Sequence, residues 1–183
     1  MFEHKLTEQL SLKLIDFQDA DAIFTLTDEN RMYLKEWLPW LDHIKEVNDT
    51  ATFIRRCLQS HADNNGLHTV IVYDGHVVGM ASFNSLNWAN KTASIGYWVS
   101  EKVQGRGIVT AVAHDLTNYA FQQLNMNKVE IRAATENQKS QRVPMKLGFT
   151  REGTIRQAEW LYDHYVDHVV FGMLASEWKD RVN

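Results

Sequence analysis

The sequence predicts a mixed α/β fold, a central mixed sheet with helices on both faces. Three observations predict it: helical spacing early in the chain, a hairpin signature in its middle, and a strand–loop–helix–strand unit after that. The length, 183 residues, fits one domain spanning 1–183. A domain of that size buries enough surface to hold a core without covalent staples. A hydrophobic share of 44% with 23% charged residues excludes a disordered or fibrous chain.

Taken in order, Leu10-Ser11-Leu12-Lys13-Leu14-Ile15 alternates like a half-buried strand. Asp16 is placed to cap a helix in which Ala20, Ile23, Phe24 and Thr27 have helical spacing. Residues 31–42 form a dense aromatic segment broken by Pro39, with Tyr33, Leu34, Trp37, Leu38, Trp40 and Leu41. Asp49 or Thr50 is placed to cap a second helix carrying Phe53, Ile54, Cys57 and Leu58 on one face. The pattern then changes. Residues 68–73 and 76–83 read as two strands joined by Asp74-Gly75, a strong hairpin signal. Residues 93–99 read as a third strand. Apolar residues at 108, 112, 116, 120 and 124 mark a helix stripe. A strand at 129–133, a short helix near 140–147 and strands near 150–158 and 164–174 complete the chain.

Composition narrows the function. The one cysteine, Cys57, permits no internal disulfide and suits a reducing compartment. The polar N-terminus has no apolar run of signal-peptide length, and no window approaches a membrane helix. The expectation is a cytoplasmic chain with no membrane partner. A net charge of −4 argues against nucleic acid as a direct ligand, which needs a concentrated basic face. The same balance suits a cationic acceptor such as an amine.

The most informative stretch is residues 95–109. A strand ends, a short polar loop holds Gly105, Arg106 and Gly107, and a long helix starts at once. The first turn of a helix leaves N–H groups without partners, and the macrodipole adds positive potential there. Glycines let backbone approach a pyrophosphate closely, and Arg106 adds a full charge. A ligand-free glycine turn would have the same sequence, so the tripeptide alone leaves both readings open. Two better-known phosphate loops are excluded. A dinucleotide fingerprint needs a glycine at Thr110, and a P-loop needs Gly-Lys-Ser/Thr after a four-residue gap.

Gln104-Gly105-Arg106-Gly107-Ile108 resembles the coenzyme A loop, Q/R-x-x-G-x-G/A, of the GNAT family of N-acetyltransferases. Val109 stands where the general pattern has Gly or Ala; the RimL-like and RimJ-like branch, which acetylates ribosomal-protein N-termini, tolerates a larger residue. The resemblance extends from residue 10 to about residue 174. It implies a single N-acetyltransferase domain over 1–183, with a mostly antiparallel, twisted sheet splayed at the cofactor site. It further implies acetyl-coenzyme A as co-substrate and no metal. The backbone of Trp98 and Val99 would pair with pantetheine, and the amides of Gln104, Gly105, Arg106, Gly107, Ile108 and Val109 would hold the pyrophosphate.

Two further clusters carry the implied chemistry. In Asn137-Gln138-Lys139-Ser140, either Asn137 or Ser140 would cap a short helix that Gly148 ends. By resemblance, Asn137 contacts pantetheine and Ser140 lies beside the thioester. The family often has an acid tyrosine four residues before the helix-end glycine; here that residue is Pro144. Ser140 is therefore the candidate to protonate the leaving thiolate. In residues 156–168, Glu159 aligns with the carboxylate that serves as base toward the amine. A carboxylate with an ordinary pKa near 4.3 is a poor base at pH 7 without burial; Trp160 and Tyr162 are the neighbours to supply it, although strand alternation would turn adjacent side chains to opposite faces. Glu159 could instead be a solvated carboxylate paired with Arg156 or Lys139. His164 and His168, with Asp163 and Asp167, lack metal-site spacing and are expected to line the acceptor pocket or pair locally.

The implied acceptor is the N-terminal α-amine of a protein, a ribosomal protein by resemblance. The alternatives are a small amine such as a polyamine or aminoglycoside, and a non-catalytic acyl-coenzyme A sensor on the same fold. The resemblance leaves room for a homo-oligomer, dimer or higher.

Overall fold

The computed structural model describes residues 3–179. By contacts the chain falls into two compact units, each assembled from two stretches of sequence. One comprises Met1–Ser82 with Tyr97–Val109, the other Phe83–Gly96 with Thr110–Asn183.

In the first unit, Glu3–Lys5 (β1) pairs antiparallel with Leu10–Leu14 (β2). β2 pairs in turn with Leu67–Tyr73 (β3), from Leu10↔Tyr73 to Leu14↔Thr69. Ser11 is buried along with Leu10 and Leu12, and its hydroxyl donates to Glu3 Oε1 at 2.9 Å. Asp16 caps a 3-10 turn, Phe17–Asp19, that leads into the expected helix, rather than the helix itself. Its carboxylate accepts the Gln18 N–H at 3.1 Å, and Asp19 reaches back to the Asp16 N–H at 2.9 Å. The helix Ala20–Glu29 (α1) follows and buries Ala20, Ile23 and Thr27.

The aromatic segment holds a short helix, Arg31–Lys35 (α2), and a 3-10 turn at Leu41–His43. So few residues are not helical by propensity alone. Arg31 closes the segment by donating to the carbonyls of Leu41 (2.7 Å) and Ile44 (2.8 Å). The next helix, Val47–Ala62 (α3), begins earlier than the sequence suggested. Glu46 is the cap residue, and Asp49 turns back to accept the N–H groups of Lys45 (2.9 Å) and Glu46 (3.1 Å). α3 packs Ile54 and Cys57 into a core with Ile15, Ala20, Ile23, Val70 and Met80.

Cys57 is 3% exposed, and burial pushes its thiol up to about 12. At pH 8 the thiolate fraction is then about one part in ten thousand. A thiol-specific reagent is expected to label Cys57 fully in denaturant. Under native conditions it should react at less than a hundredth of the free-thiol rate, roughly. Rapid native labelling would mean that this core opens.

β3 turns at Asp74-Gly75 into His76–Asn87 (β4). Both turn residues have positive φ, 49° and 78°, as a type I′ hairpin requires. β4 runs on into the second unit, and Thr92–Val99 (β5) runs back.

The helix Ile108–Gln122 (α4), most of it in the second unit, buries Ile108, Val112, Leu116 and Ala120 of the anticipated stripe together with Ala113, while Leu124 lies beyond its end. Lys128–Ala134 (β6) pairs in parallel with β5, from Thr92↔Lys128 to Ile95↔Ile131. This ladder stops short of the ends of both strands. Gln138–Lys146 (α5) leads to Thr150–Leu161 (β7) and His164–Leu174 (β8), and Ala175–Lys179 (α6) closes the described chain. β8 pairs antiparallel with both β6 and β7. Trp178 of α6 is buried, its indole donating to Asn118 Oδ1 at 2.6 Å. The strands join in one open eight-stranded sheet in the order β1-β2-β3-β4-β5-β6-β8-β7. Among the described residues no helix is long and apolar enough to cross a membrane.

Candidate active site

The loop between β5 and α4 lies in the first unit up to Val109. Ser100 caps a 3-10 turn, Glu101–Val103, and Gln104 is extended. Gly105 and Gly107 then take φ of +75° and +78°, a region where L side chains are strained. A Cβ at either position would meet nothing within 4 Å. The glycines are thus required by backbone shape, and the space above them is open. Ile108, buried, anchors the start of α4, whose first turn carries no acidic residue. Arg106 is exposed, and its guanidinium carbon stands 5.9 Å from the Tyr73 ring centre.

Residues that sequence reasoning passed over hold this loop. The buried side chain of Asn30, at the end of α1, accepts from the Ser100 hydroxyl (3.1 Å) and the Glu101 N–H (3.0 Å). Its own amide donates to Leu26 O at 2.8 Å. Gln104 donates to the Tyr33 hydroxyl, and Lys102 pairs with Glu29 at 3.1 Å. The α1–α2 junction therefore fixes the loop at three points. Nothing in the local sequence signals a partnership seventy residues apart.

Trp98 and Val99 end β5. The Trp98 ring packs against the first core and lies 6.2 Å from Trp40. A Cβ built on Gly79 of β4 would stand 2.2 Å from the Trp98 carbonyl oxygen and 2.8 Å from Val99 Cα. Glycine is thus obligatory where β4 meets this part of β5, and a glycine inside a strand pattern was the available signal. Gly79→Ala is expected to force these backbones apart, lowering stability by about 1–3 kcal/mol and weakening together with it the binding of any ligand held by the backbone of Trp98 and Val99. Thermal unfolding and calorimetry on the same sample check this; a fully stable variant would show that the strands can move aside.

In the second unit, Asn137 caps α5, its Oδ1 accepting the Ser140 N–H at 3.0 Å. The capping role of Asn137 is thus observed, and Ser140 sits in the first turn it secures. Gln141, buried and unnoticed in the sequence, donates to the carbonyls of Ala134 (2.9 Å) and Thr135 (2.7 Å), tying α5 to the end of β6. Pro144 lies within α5 and has no N–H to offer the Ser140 carbonyl four residues back. Gly148, at φ +75°, ends the helix. The Phe149 N–H reaches Pro144 O and the Gly148 N–H reaches Met145 O, a Schellman closure.

Glu159 lies on β7 opposite Val166. Its carboxylate comes within 3.4 Å of His168 Nε2, with side-chain exposures of 32% for Glu159 and 19% for His168. Trp160, opposite Tyr165, turns to the other face, meets that ring edge-on with centres 4.8 Å apart and is half exposed. It gives Glu159 no cover. Asp163 and His164 pair locally at 2.6 Å, and that hydrogen bond holds the exposed Asp163 carboxyl below its usual range. Asp167 accepts the Gln157 N–H at 2.7 Å, where Gln157 takes φ +49° within a register shift. Among the described residues no group of three or more His, Cys, Asp or Glu side chains is arranged to hold a metal.

A glycine turn opening a helix off a mixed sheet is the arrangement of a fold that binds an anionic group such as a diphosphate. The sequence profile of the acetyltransferase (GNAT) domain matches residues 9–150, and the chain belongs to that family of N-acetyltransferases. It is 34% identical over 180 residues to YdaF of Bacillus subtilis (strain 168), provisionally named a ribosomal N-acetyltransferase; the match covers 98% of each chain. It is 29% identical over 163 residues to the ribosomal-protein-serine acetyltransferase of Escherichia coli (strain K12), covering 89% of this chain and 91% of that one. Among solved structures, a RimL ribosomal α-N-protein acetyltransferase in complex with coenzyme A superposes with a TM-score of 0.90 at 25% identity. That match covers 94% of this chain and 98% of the other.

Proposed function

We propose that this chain transfers acetyl from acetyl-coenzyme A to the N-terminal α-amine of a protein, a ribosomal protein by its relatives, in the cytoplasm. One observation carries the cofactor half: the Gly105-Arg106-Gly107 turn with open space above both glycines, at the start of a helix with no acid in its first turn. That turn fits a pyrophosphate. The amides of residues 104–109 would hold it, with Arg106 adding charge, and the backbone of Trp98 and Val99 would take the pantetheine. The early end of the β5–β6 ladder supports the latter, since strand edges need partners. Asn137 would serve as cap and pantetheine contact. Acetyl-coenzyme A supplies the activated acyl carbon; Glu159 takes a proton from the amine, and Ser140 gives one to the departing sulfur. We read both units as parts of one catalytic domain, because β4 and β5 run through both.

The α-amine acceptor follows from proton availability. At pH 7 an α-amine of pKa about 7.7–8.0 is roughly a tenth neutral, while a lysine near 10.4 is well under a thousandth. A lightly covered carboxylate serves the first and is stretched for the second. The test is release of coenzyme A thiol with a panel of acceptors: peptides with ribosomal-protein N-termini, the same peptides blocked at the α-amine but carrying lysine, and spermidine. Turnover of the free N-terminal peptides, with acetyl located on the α-nitrogen by mass spectrometry, is expected. Turnover of spermidine alone would move the assignment to small amines.

A further inference from the structure

Glu159 as sole base presents a chemical difficulty. Carboxylates ordinarily titrate near 4.3, and burial is the usual device for making one basic at pH 7. Here the side chain remains about a third exposed, and the neighbouring indole faces away. The carboxylate serves an α-amine, and a neighbour that holds the proton makes it a better base.

The register supplies a candidate. Residues directly opposite in a sheet share a face, and so do residues two apart on a strand. Glu159 is opposite Val166, and Val166 is two residues before His168, so the carboxylate and imidazole meet diagonally. The observed 3.4 Å between Glu159 Oε2 and His168 Nε2 is within the range that tightens when substrate binds. Imidazoles as a class titrate near 6.5, far closer to working pH than carboxylates.

We propose that His168 accepts the proton that Glu159 takes from the acceptor amine, the two side chains acting as one base. The proposal rests on the acetyltransfer reading above and deepens it. The acceptor's ammonium gives one proton to Glu159, which passes it to Nε2 of His168. The freed nitrogen lone pair bonds the acyl carbon, and the carbon–sulfur bond breaks with its electron pair leaving on sulfur. The second excess proton of the nitrogen goes to that sulfur, with Ser140 as relay. The proton on His168 is released to solvent, and the ion pair of imidazolium and carboxylate relaxes to its starting state.

The other charged groups around His168 are already engaged. Across β6, Ala134 is its direct partner, and Arg132 and Glu130 share its face; they pair with each other at 3.1 Å. Lys128 joins Glu130 (3.0 Å) and Glu152 of β7 (2.7 Å). Asp167 is held by Gln157 and Asp163 by His164. Arg156 lies on β7, and Lys139 and Arg142 on α5. Glu159 is the carboxylate placed within ion-pair distance of the ring.

The experiment compares His168→Gln and His168→Ala with the parent enzyme, using an N-terminal peptide it turns over. Glutamine keeps a polar amide near Glu159 but cannot take a proton. Both variants are expected to lose about 10²–10⁴-fold in kcat at pH 7, with KM for acetyl-coenzyme A changed less than about threefold. The parent's fall in kcat between pH 8 and pH 6 should flatten in both, and tens of millimolar imidazole should restore part of the activity of His168→Ala. Independently of activity, the ring 15N signals of His168 should shift in Glu159→Gln. Full activity in His168→Gln would reduce His168 to a hydrogen-bonding role and overturn the proposal. So would an unshifted ring signal. Absence of turnover by the parent on every acceptor in the panel would overturn the acetyltransfer reading first, and this inference with it.

Discussion

Gly107→Glu is expected to abolish acetyl-coenzyme A binding, raising Kd by at least about 100-fold in a protein that still folds. Two effects add. The residue sits at φ +78°, where any side chain other than glycine's costs about 1–2 kcal/mol. The added carboxylate would also stand at the positive end of α4, where we propose that the diphosphate binds. Gly107→Ala separates the two effects. Nothing lies within 4 Å of the built Cβ, so alanine brings backbone strain without steric conflict or charge. Its loss should be about tenfold, the equivalent of that strain. Calorimetric titration measures both. Unchanged affinity in a folded Gly107→Glu would place the pyrophosphate elsewhere.

Glu159→Gln carries the second large effect: kcat should fall about 10²–10⁴-fold near neutral pH, while affinity for acetyl-coenzyme A stays within about threefold. Glutamine preserves shape and can still bond His168, but it cannot carry a proton. Ser140→Ala should lose no more than about tenfold, because a thiol of ordinary pKa near 8.5 leaves readily without an acid. Steady-state kinetics across pH 6–8 with one N-terminal peptide decides the order. A fully active Glu159→Gln would place the base elsewhere.

How far the sequence could be read depended on how local the cause was. Asp16 capped a 3-10 turn just ahead of the expected helix, while Asp74-Gly75 and Gly148 act within a few residues and did what their type and spacing suggested. The same holds for the stripe of α4. Asp49 was seen as a cap, yet it serves by reaching back to Lys45 and Glu46, a choice between two local geometries. α2 was missed because a distant contact, Arg31 to the carbonyls of Leu41 and Ile44, holds it. β1 and α6 are short elements of the same kind, dependent on a partner strand or on a tryptophan socket.

The site followed the same rule. Gly105 and Gly107 were legible because their conformation is written in their type. The Glu159–His168 pair was not. Register shifts between Arg151 and Gly153 and between Ile155 and Glu159 change which residues face each other, so a spacing of nine residues said nothing about contact.

The discontinuity of the two units has a consequence for synthesis. A chain leaves the ribosome from its N-terminus at about 5–20 residues per second and folds as its pieces become complete. The first unit closes only when Tyr97–Val109 emerges, after Asn30 and Tyr33 have already appeared to receive it. The second unit begins inside that interval, at Phe83, and needs β8, which ends at Leu174, to pair both β6 and β7. The glycine turn is therefore the last part of the earlier unit to be made. It can be seated by Asn30 while Glu159 and His168 are still unsynthesised, so the nascent chain passes through a stage able to shape this turn before the Glu159–His168 pair exists.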